Sequence, residues 1–342
     1  MPFHVSSRRA IALATTAVMA VGVVTLAGCA SIASQQATTK TPAPSHTSSS
    51  VSADLFATHD TSAVLAELSW GTPQTVEGVV WDSAEVTTGL AGSTFTVTTN
   101  SIPNHERDTY YAVPQNGVLI PDANSATVAK DPTTAQQQTF TFPTSPQYSN
   151  STTEAPLGSI GIMISGAVLF NPFEADGSTV AMANNFTVTK DGVTASFVDH
   201  CSGHPSPQGN YHYHANSSCV TRQVDATGQA SHIIGLALDG FPIYGAYDIA
   251  GAEVTSDKLD ECNGIFSATP EFPTGIYHYV LPNTTDATSS IRCFHGVVDA
   301  SQIRQMPPMM GQMNQPGQAG PPAQGGQMMP PPMMGQNSGS RP

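Results

Sequence analysis

Asp199-His200-Cys201-Ser202-Gly203-His204-Pro205-Ser206-Pro207-Gln208-Gly209-Asn210-Tyr211-His212-Tyr213-His214-Ala215-Asn216-Ser217-Ser218-Cys219 gathers four of the chain's eleven histidines within fifteen residues, three of them between two cysteines. Tyr211-His212-Tyr213-His214 alternates with period two. As a strand it sends both imidazoles to one face, roughly 6.6 Å apart, and both phenols to the other. The imidazole face then offers paired nitrogen ligands for a transition metal. The competing reading is a core in which the aromatics pack and the histidines only hydrogen-bond.

Outward from that stretch the chain speaks in short, β-branched runs parted by Gly, Pro, Asn and Asp. Val79 to Trp81, Thr94 to Thr99, Thr139 to Phe142, Gly161 to Phe170, Phe186 to Thr189 and Val193 to Val198 all read as strands. The fold class they predict is all-β, an antiparallel sandwich or barrel-like domain with long loops, over residues 56–303. One short helix is expected between Asp54 and Trp70, with Asp60, Thr61 or Ser62 as its cap and Val64, Leu65 and Leu68 as its apolar stripe. A Gly-rich phosphate loop, a nucleophile elbow and a His-Glu-x-x-His helix are all missing from the sequence.

An internal repeat runs through the second half. Asp199-x-Cys201-x-Gly203, then Gly209-x-Tyr211-His212-Tyr213, then Cys219, is matched by Asp260-x-Cys262-x-Gly264, Gly275-x-Tyr277-His278-Tyr279 and Cys293. Two copies predict a pseudo-symmetric core that brings His278 towards His212 and His214. The repeat also pairs Cys201 with Cys219 and Cys262 with Cys293, one disulfide per copy. Thiolate ligation is the alternative, since Cys201 and His204 stand at a spacing that zinc ligands use. Between the copies, Leu238-Asp239-Gly240-Phe241 reads as a tight turn, with Asp239 either holding it or orienting an imidazole. His105 falls on a loop after Asn100-Ser101-Ile102-Pro103-Asn104.

The two ends have a different character. Arg8-Arg9, an apolar run from Ala10 to Ala27 and Leu26-Ala27-Gly28-Cys29 have the layout of a bacterial lipoprotein signal over residues 1–28, with Cys29 as the lipidated residue. Residues 29–55 read as a flexible linker of Ser, Thr, Gln, Ala and Pro. Residues 304–342 are a disordered tail rich in Met, Pro, Gly and Gln, in which Met306, Met309, Met310 and Met313 cluster as soft thioether ligands suited to Cu(I). The formal charge is -14, and beyond residue 28 it is -16, from 9 basic and 25 acidic groups. Such a surface repels nucleic acid and anionic membrane and favours cations.

Taken together, Asn100 to His105, Gly158-Ser-Ile-Gly161 leading to Phe170-Asn171-Pro172-Phe173, Cys201-Ser-Gly-His204, Gly209 to His214, Asp239 to Gly245 and Asp260 to Gly264 resemble the YHYH domain family, over roughly Gly78 to Gly296. The resemblance implies an exported β-rich domain and supplies no reaction. It singles out His105, His204, His212, His214, His278 and Asp239. His200 departs from the family pattern, and so does Val280, where the second copy often carries a fourth strand histidine.

Three functions are compatible with these features. The first is a lipid-anchored protein on the extracytoplasmic face of a cell membrane that binds copper or zinc, copper favoured, through His204, His212, His214, His278 and His105. The second is a metal-dependent hydrolase on the same ligands, with Asp239 or Asp199 as base or orienter. The third is a structural or glycan-recognition module without metal. An enzyme is the less favoured reading, because nothing in the sequence supplies a substrate.

Overall fold

The computed structural model describes residues 58–115 and 117–303; Cys29, the linker and the Met-rich tail lie outside them. The chain divides after Ser50, and every described residue belongs to the second unit, Val51–Pro342. No helix among the described residues is long and apolar enough to cross a membrane.

Helix α1 (Ser62–Glu67) sits where the apolar stripe predicts, with Leu65 fully buried. The N-cap is Thr61, which makes no side-chain capping bond; the Asp60 side chain accepts the Ser62 N–H at 3.0 Å just ahead of the helix. The strands follow as β1 (Gln74–Val76), β2 (Val79–Trp81), β3 (Val86–Ala91), β4 (Thr94–Thr99), β5 (Tyr110–Pro114), β6 (Ala126–Lys130), β7 (Gln138–Pro143) and β8 (Tyr148–Glu154). Strand β4 shows why the pattern was readable: Phe95, Val97 and Thr99 are buried, and the threonines between them are not.

The second half supplies β9 (Ser159–Met163), β10 (Val168–Phe170), β11 (Thr187–Lys190), β12 (Val193–Ser196), β13 (Gly203–Pro205), β14 (Tyr211–Tyr213), helix α2 (Ser218–Thr221), β15 (Ile233–Ala237), β16 (Pro242–Tyr244), β17 (Gly264–Ser267), β18 (Ile276–Val280) and β19 (Cys293–Gly296). Eight of these form one sheet in the order β13-β14-β10-β9-β15-β16-β18-β17. The apolar run from Gly161 to Phe170, read as a single strand, is a hairpin instead. Gly166, at φ +95°, turns the chain between β9 and β10.

The central sheet has a local two-fold arrangement. Ile162 lies opposite Leu236, with Met163 opposite Gly235 and Gly161 opposite Ala237, so β9 and β15 are related by a half-turn about the first pair. Each half then repeats outward: an antiparallel neighbour (β10 or β16), a parallel Tyr-His-Tyr strand (β14 or β18) and an antiparallel edge (β13 or β17). The sheet is therefore mixed rather than antiparallel throughout. Each parallel pair, β10 with β14 and β16 with β18, is joined by a long crossover. Strands β9, β15 and β18 are buried at every position, so both faces of the sheet are covered.

Candidate metal centre

At the β13 end of this sheet His204 pairs directly across from His212. Strand alternation puts both imidazoles on one face, and His214, just past the end of β14, turns to the same side. Ring centroids are 4.4 Å apart for His204 and His212, 4.9 Å for His212 and His214, and 5.4 Å for His204 and His214. One nitrogen from each ring lies within 4.8 Å of those of the other two. Phe170 stacks on His212 at 4.1 Å and Phe197 packs on His204 at 4.3 Å, which walls the trio with apolar surface. Relative exposures of 5%, 5% and 2% for His204, His212 and His214 leave almost no water on the three rings.

Backbone carbonyls set the orientation. Nδ1 of His212 donates to the Asn210 carbonyl at 3.0 Å and Nδ1 of His214 to the Asn171 carbonyl at 2.7 Å. Each bond places the proton on Nδ1 and leaves the Nε2 lone pair free, as in metal-ligating histidines. His204 differs: neither ring nitrogen has a hydrogen-bond partner, and both are buried. Burial pushes all three rings towards the neutral form, His212 to about 3, His214 to about 4, and His204 well below the usual imidazole range with the other two rings adding to the effect. Neutral imidazole is the form a metal would require, and burial holds all three rings in it throughout the physiological pH range.

The other expected ligands lie elsewhere. His105 is buried on the opposite face of β14, where Nε2 meets the Tyr213 hydroxyl at 2.5 Å and Nδ1 meets the Glu106 carbonyl at 2.8 Å. Both of its nitrogens are occupied. His278 packs against Tyr244 at 4.7 Å in β18, and four strands separate β18 from β14. At ordinary strand spacing that is roughly 24 Å, so the copies do not bring their histidines together.

Asp199 and Asp239, expected to orient imidazoles, hold tyrosines instead. Asp199 accepts the Tyr111 and Tyr211 hydroxyls at 2.7 and 2.8 Å and the Cys201 and Gly203 N–H groups at 2.9 and 3.1 Å. Asp239 accepts the Tyr279 hydroxyl at 2.6 Å and the Gly296 N–H at 2.9 Å, and closes its own turn through Phe241. Burial raises both carboxyls to about 6, against the pull of these donors. The turn expected at Asp239 is present.

The cysteines form two disulfides, Cys201–Cys219 and Cys262–Cys293. Their sulfurs are thereby removed as ligands. His200 stands apart from the trio with Glu106 and Asp108 around its ring, and Arg222 pairs with Glu106 beside it.

Residues 139–256 and 248–296 match the family model described as YHYH protein. The chain carries a YHYH domain. The match is narrower than the span read from motifs, since the strands before residue 139, together with His105 and Tyr111, fall outside it. No curated protein and no solved structure gave a match.

Within the YHYH domain the tetrapeptide has a physical explanation on each side of the strand. On the tyrosine face, Tyr211 and Tyr277 each reach back to the Asp of their own Asp-x-Cys-x-Gly turn, and both aspartates also accept the Cys and Gly N–H groups of that turn. Gly203 and Gly264 are required there, because a Cβ on either would collide with the phenol passing over it. On the histidine face the copies diverge. Equivalent registers set His204 opposite His212 and Ile265 opposite His278, while His214 is matched by Val280 and Phe170 by Tyr244. Only the first copy builds a three-imidazole cluster. Sequence reasoning missed Phe170 and the Asn171 and Asn210 carbonyls, since a carbonyl's direction leaves no mark on residue identity.

Proposed function

We propose that the YHYH domain binds one transition-metal ion through His204, His212 and His214, with copper favoured over zinc. The reading is carried by His204, whose two ring nitrogens are buried without a hydrogen bond beside two rings whose Nδ1 protons are held by backbone carbonyls, with one nitrogen of each ring within 4.8 Å of the other two. Unsatisfied buried nitrogens of this kind cost about 1–3 kcal/mol. A bound ion would satisfy one of the two His204 nitrogens and remove that part of the cost.

Ligands held at about 2.0 Å around one ion sit about 3.5 Å apart, so each ring has less than about 1 Å to travel. Imidazole suits copper and zinc alike. The charge balance separates them. The cluster contains no carboxylate, so the full ionic charge is taken into an apolar pocket. Solvation cost grows with the square of charge, which favours monovalent Cu(I) over a divalent ion. The Met306, Met309, Met310 and Met313 cluster, outside the described residues, supplies further soft ligands for the same ion.

Export and lipid anchoring at Cys29 belong to the same proposal. The two disulfides support it, because such bonds persist in oxidising compartments. Equilibrium dialysis of the full chain against Cu(I) and Zn(II), with elemental analysis, tests the metal. The wild type should take up copper that the His212→Ala/His214→Ala variant does not, and equal copper in the two proteins ends the proposal.

A further inference from the structure

The second copy carries a group of its own that the three-imidazole cluster does not explain. His295, in β19, is 4% exposed and its Nε2 is buried without a hydrogen bond. Its Nδ1 lies 2.8 Å from the Ser149 carbonyl, which places the ring proton there. The Nε2 lone pair therefore faces two carboxylates, with Asp260 Oδ2 at 3.5 Å and Glu261 Oε1 at 3.6 Å. A lone pair and two anions repel unless a cation lies among them.

The separations distinguish the possible cations. A proton shared between imidazole and carboxylate draws the heavy atoms to about 2.7–2.9 Å. Two ligands at 2.0–2.1 Å from one tetrahedral ion lie about 3.4 Å apart. Both distances to His295 fit the second case, while Glu261 is not among the side chains here (Asp260, Cys262 and His295) whose ligand atoms all lie within 4.8 Å of one another, so it must turn inward to join the other two on one ion. We propose that His295, Asp260 and Glu261 form a second metal site, specific for a divalent ion of the zinc class.

The surroundings are built for this. Tyr148 stacks over His295 at 4.7 Å and 13°, which fixes the ring plane. Asp260 is held by the Cys262 and Gly264 N–H groups at 2.9 and 2.7 Å and by the Tyr277 hydroxyl at 2.8 Å. The side chain of Glu261 is 67% exposed, so it can swing aside to admit an ion and close on it. The nearby Cys262 sulfur is tied to Cys293 and does not ligate. Two carboxylates and one neutral imidazole cancel a double positive charge, whereas three imidazoles cancel none. The two sites therefore select by charge. The first copy has no counterpart: there the turn aspartate, Asp199, is closed off by two phenols, and His200 stands where Glu261 does.

The test uses the full chain bearing His212→Ala/His214→Ala, so that the first site is disabled whether or not it binds metal. Isothermal titration with Zn(II) is then run with and without Glu261→Gln. This exposed substitution leaves the fold intact, and circular dichroism checks that it does. The expected result is Zn(II) binding by the double variant that Glu261→Gln weakens at least tenfold, with the same loss in His295→Gln. Absence of Zn(II) binding in the double variant, or a weakening by Glu261→Gln of less than tenfold, overturns the inference. Copper uptake by the wild type is indifferent to Glu261→Gln, so the two sites fail or stand separately.

Discussion

His204 and His212 are directly opposed residues of an antiparallel pair, and their rings stand 4.4 Å apart with no hydrogen bond to His204. Two strands could fill that space with apolar side chains at lower cost. Replacing His204 by Phe removes the two buried unsatisfied nitrogens while keeping most of the ring volume. The metal-free His204→Phe variant is expected to gain about 1–3 kcal/mol. For a domain of this size each kcal/mol raises the melting temperature by roughly 2–4 °C. Copper uptake should disappear in the same variant. A melting temperature below that of metal-free wild type would contradict the assignment of His204 as a strained, waiting ligand.

Acid should weaken the metal-free domain through its buried imidazoles. His105, His214 and His278 are lowered by burial to about 4 and His212 to about 3, against an ordinary value of 6.5. The unfolded chain therefore takes up protons that the folded one refuses. The stability these rings contribute is complete above pH 6.5 and is lost as pH falls towards 4, at about 1.4 kcal/mol per ring per pH unit. Asp199 and Asp239, raised to about 6, and Glu174, raised to about 8, act in the opposite sense: their contribution is complete below the ordinary carboxylate range and is lost as pH rises through those values. The net slope is accordingly smaller than the histidine sum. Urea unfolding at pH 7 and pH 5 should show wild type losing more than His212→Phe/His214→Phe, and parallel losses would refute the account.

The two copies treat their second tyrosine differently, and mutation should show it. Tyr279 donates to the buried Asp239 carboxylate at 2.6 Å, whereas Tyr213 meets the neutral Ser165 hydroxyl at 2.8 Å. Hydrogen bonds to charged groups are the stronger. Tyr279→Phe should cost about 1.5–3 kcal/mol in chemical denaturation, and the same probe should register a loss nearer 1 kcal/mol for Tyr213→Phe, whose hydroxyl also contacts His105. The reverse order would mean that Asp239 is held by its backbone donors alone.

The disulfides close loops of 18 and 31 residues. Chain entropy makes each worth about 3–4 kcal/mol, the longer one slightly more. Cys262→Ser/Cys293→Ser is expected to lower the denaturation midpoint at least as far as Cys201→Ser/Cys219→Ser. It should also loosen β19 and the His295 site, seen as faster hydrogen exchange at Phe294 and His295.

Much of this was legible in residue order because the relevant signals are local. His212 and His214 declare themselves through a period of two, and Asp-x-Cys-x-Gly declares its turn through the spacing of the groups that close it. His204 could be selected because it stands in the Cys201-Ser-Gly-His204 motif that resembles the family, at a spacing from Cys201 that zinc ligands use. Distances across the sheet were not legible. Placing His278 near His212 assumed that repeated strands adjoin, but the repeated unit also contains β9 and β10, or β15 and β16, and these stand between the two Tyr-His-Tyr strands. The segments Ile160-Gly161 and Ile234-Gly235 carry that longer repeat faintly, and only their registers reveal it. His105 shows the same limit, since a loop histidine gives no hint that it inserts beneath a phenol. His295 followed a cysteine without any ligand-like spacing, and the carboxylates around it, Asp260 and Glu261, come from thirty-five and thirty-four residues earlier in the chain.

The half of the sheet containing Ile265 and Val280 demonstrates that this architecture closes without an imidazole trio. Folding therefore does not depend on the imidazole trio, and the second half is open to engineering. Installing histidines at 265 and 280, with phenylalanine at 244, would write the first copy's imidazole set onto the second, beside His278.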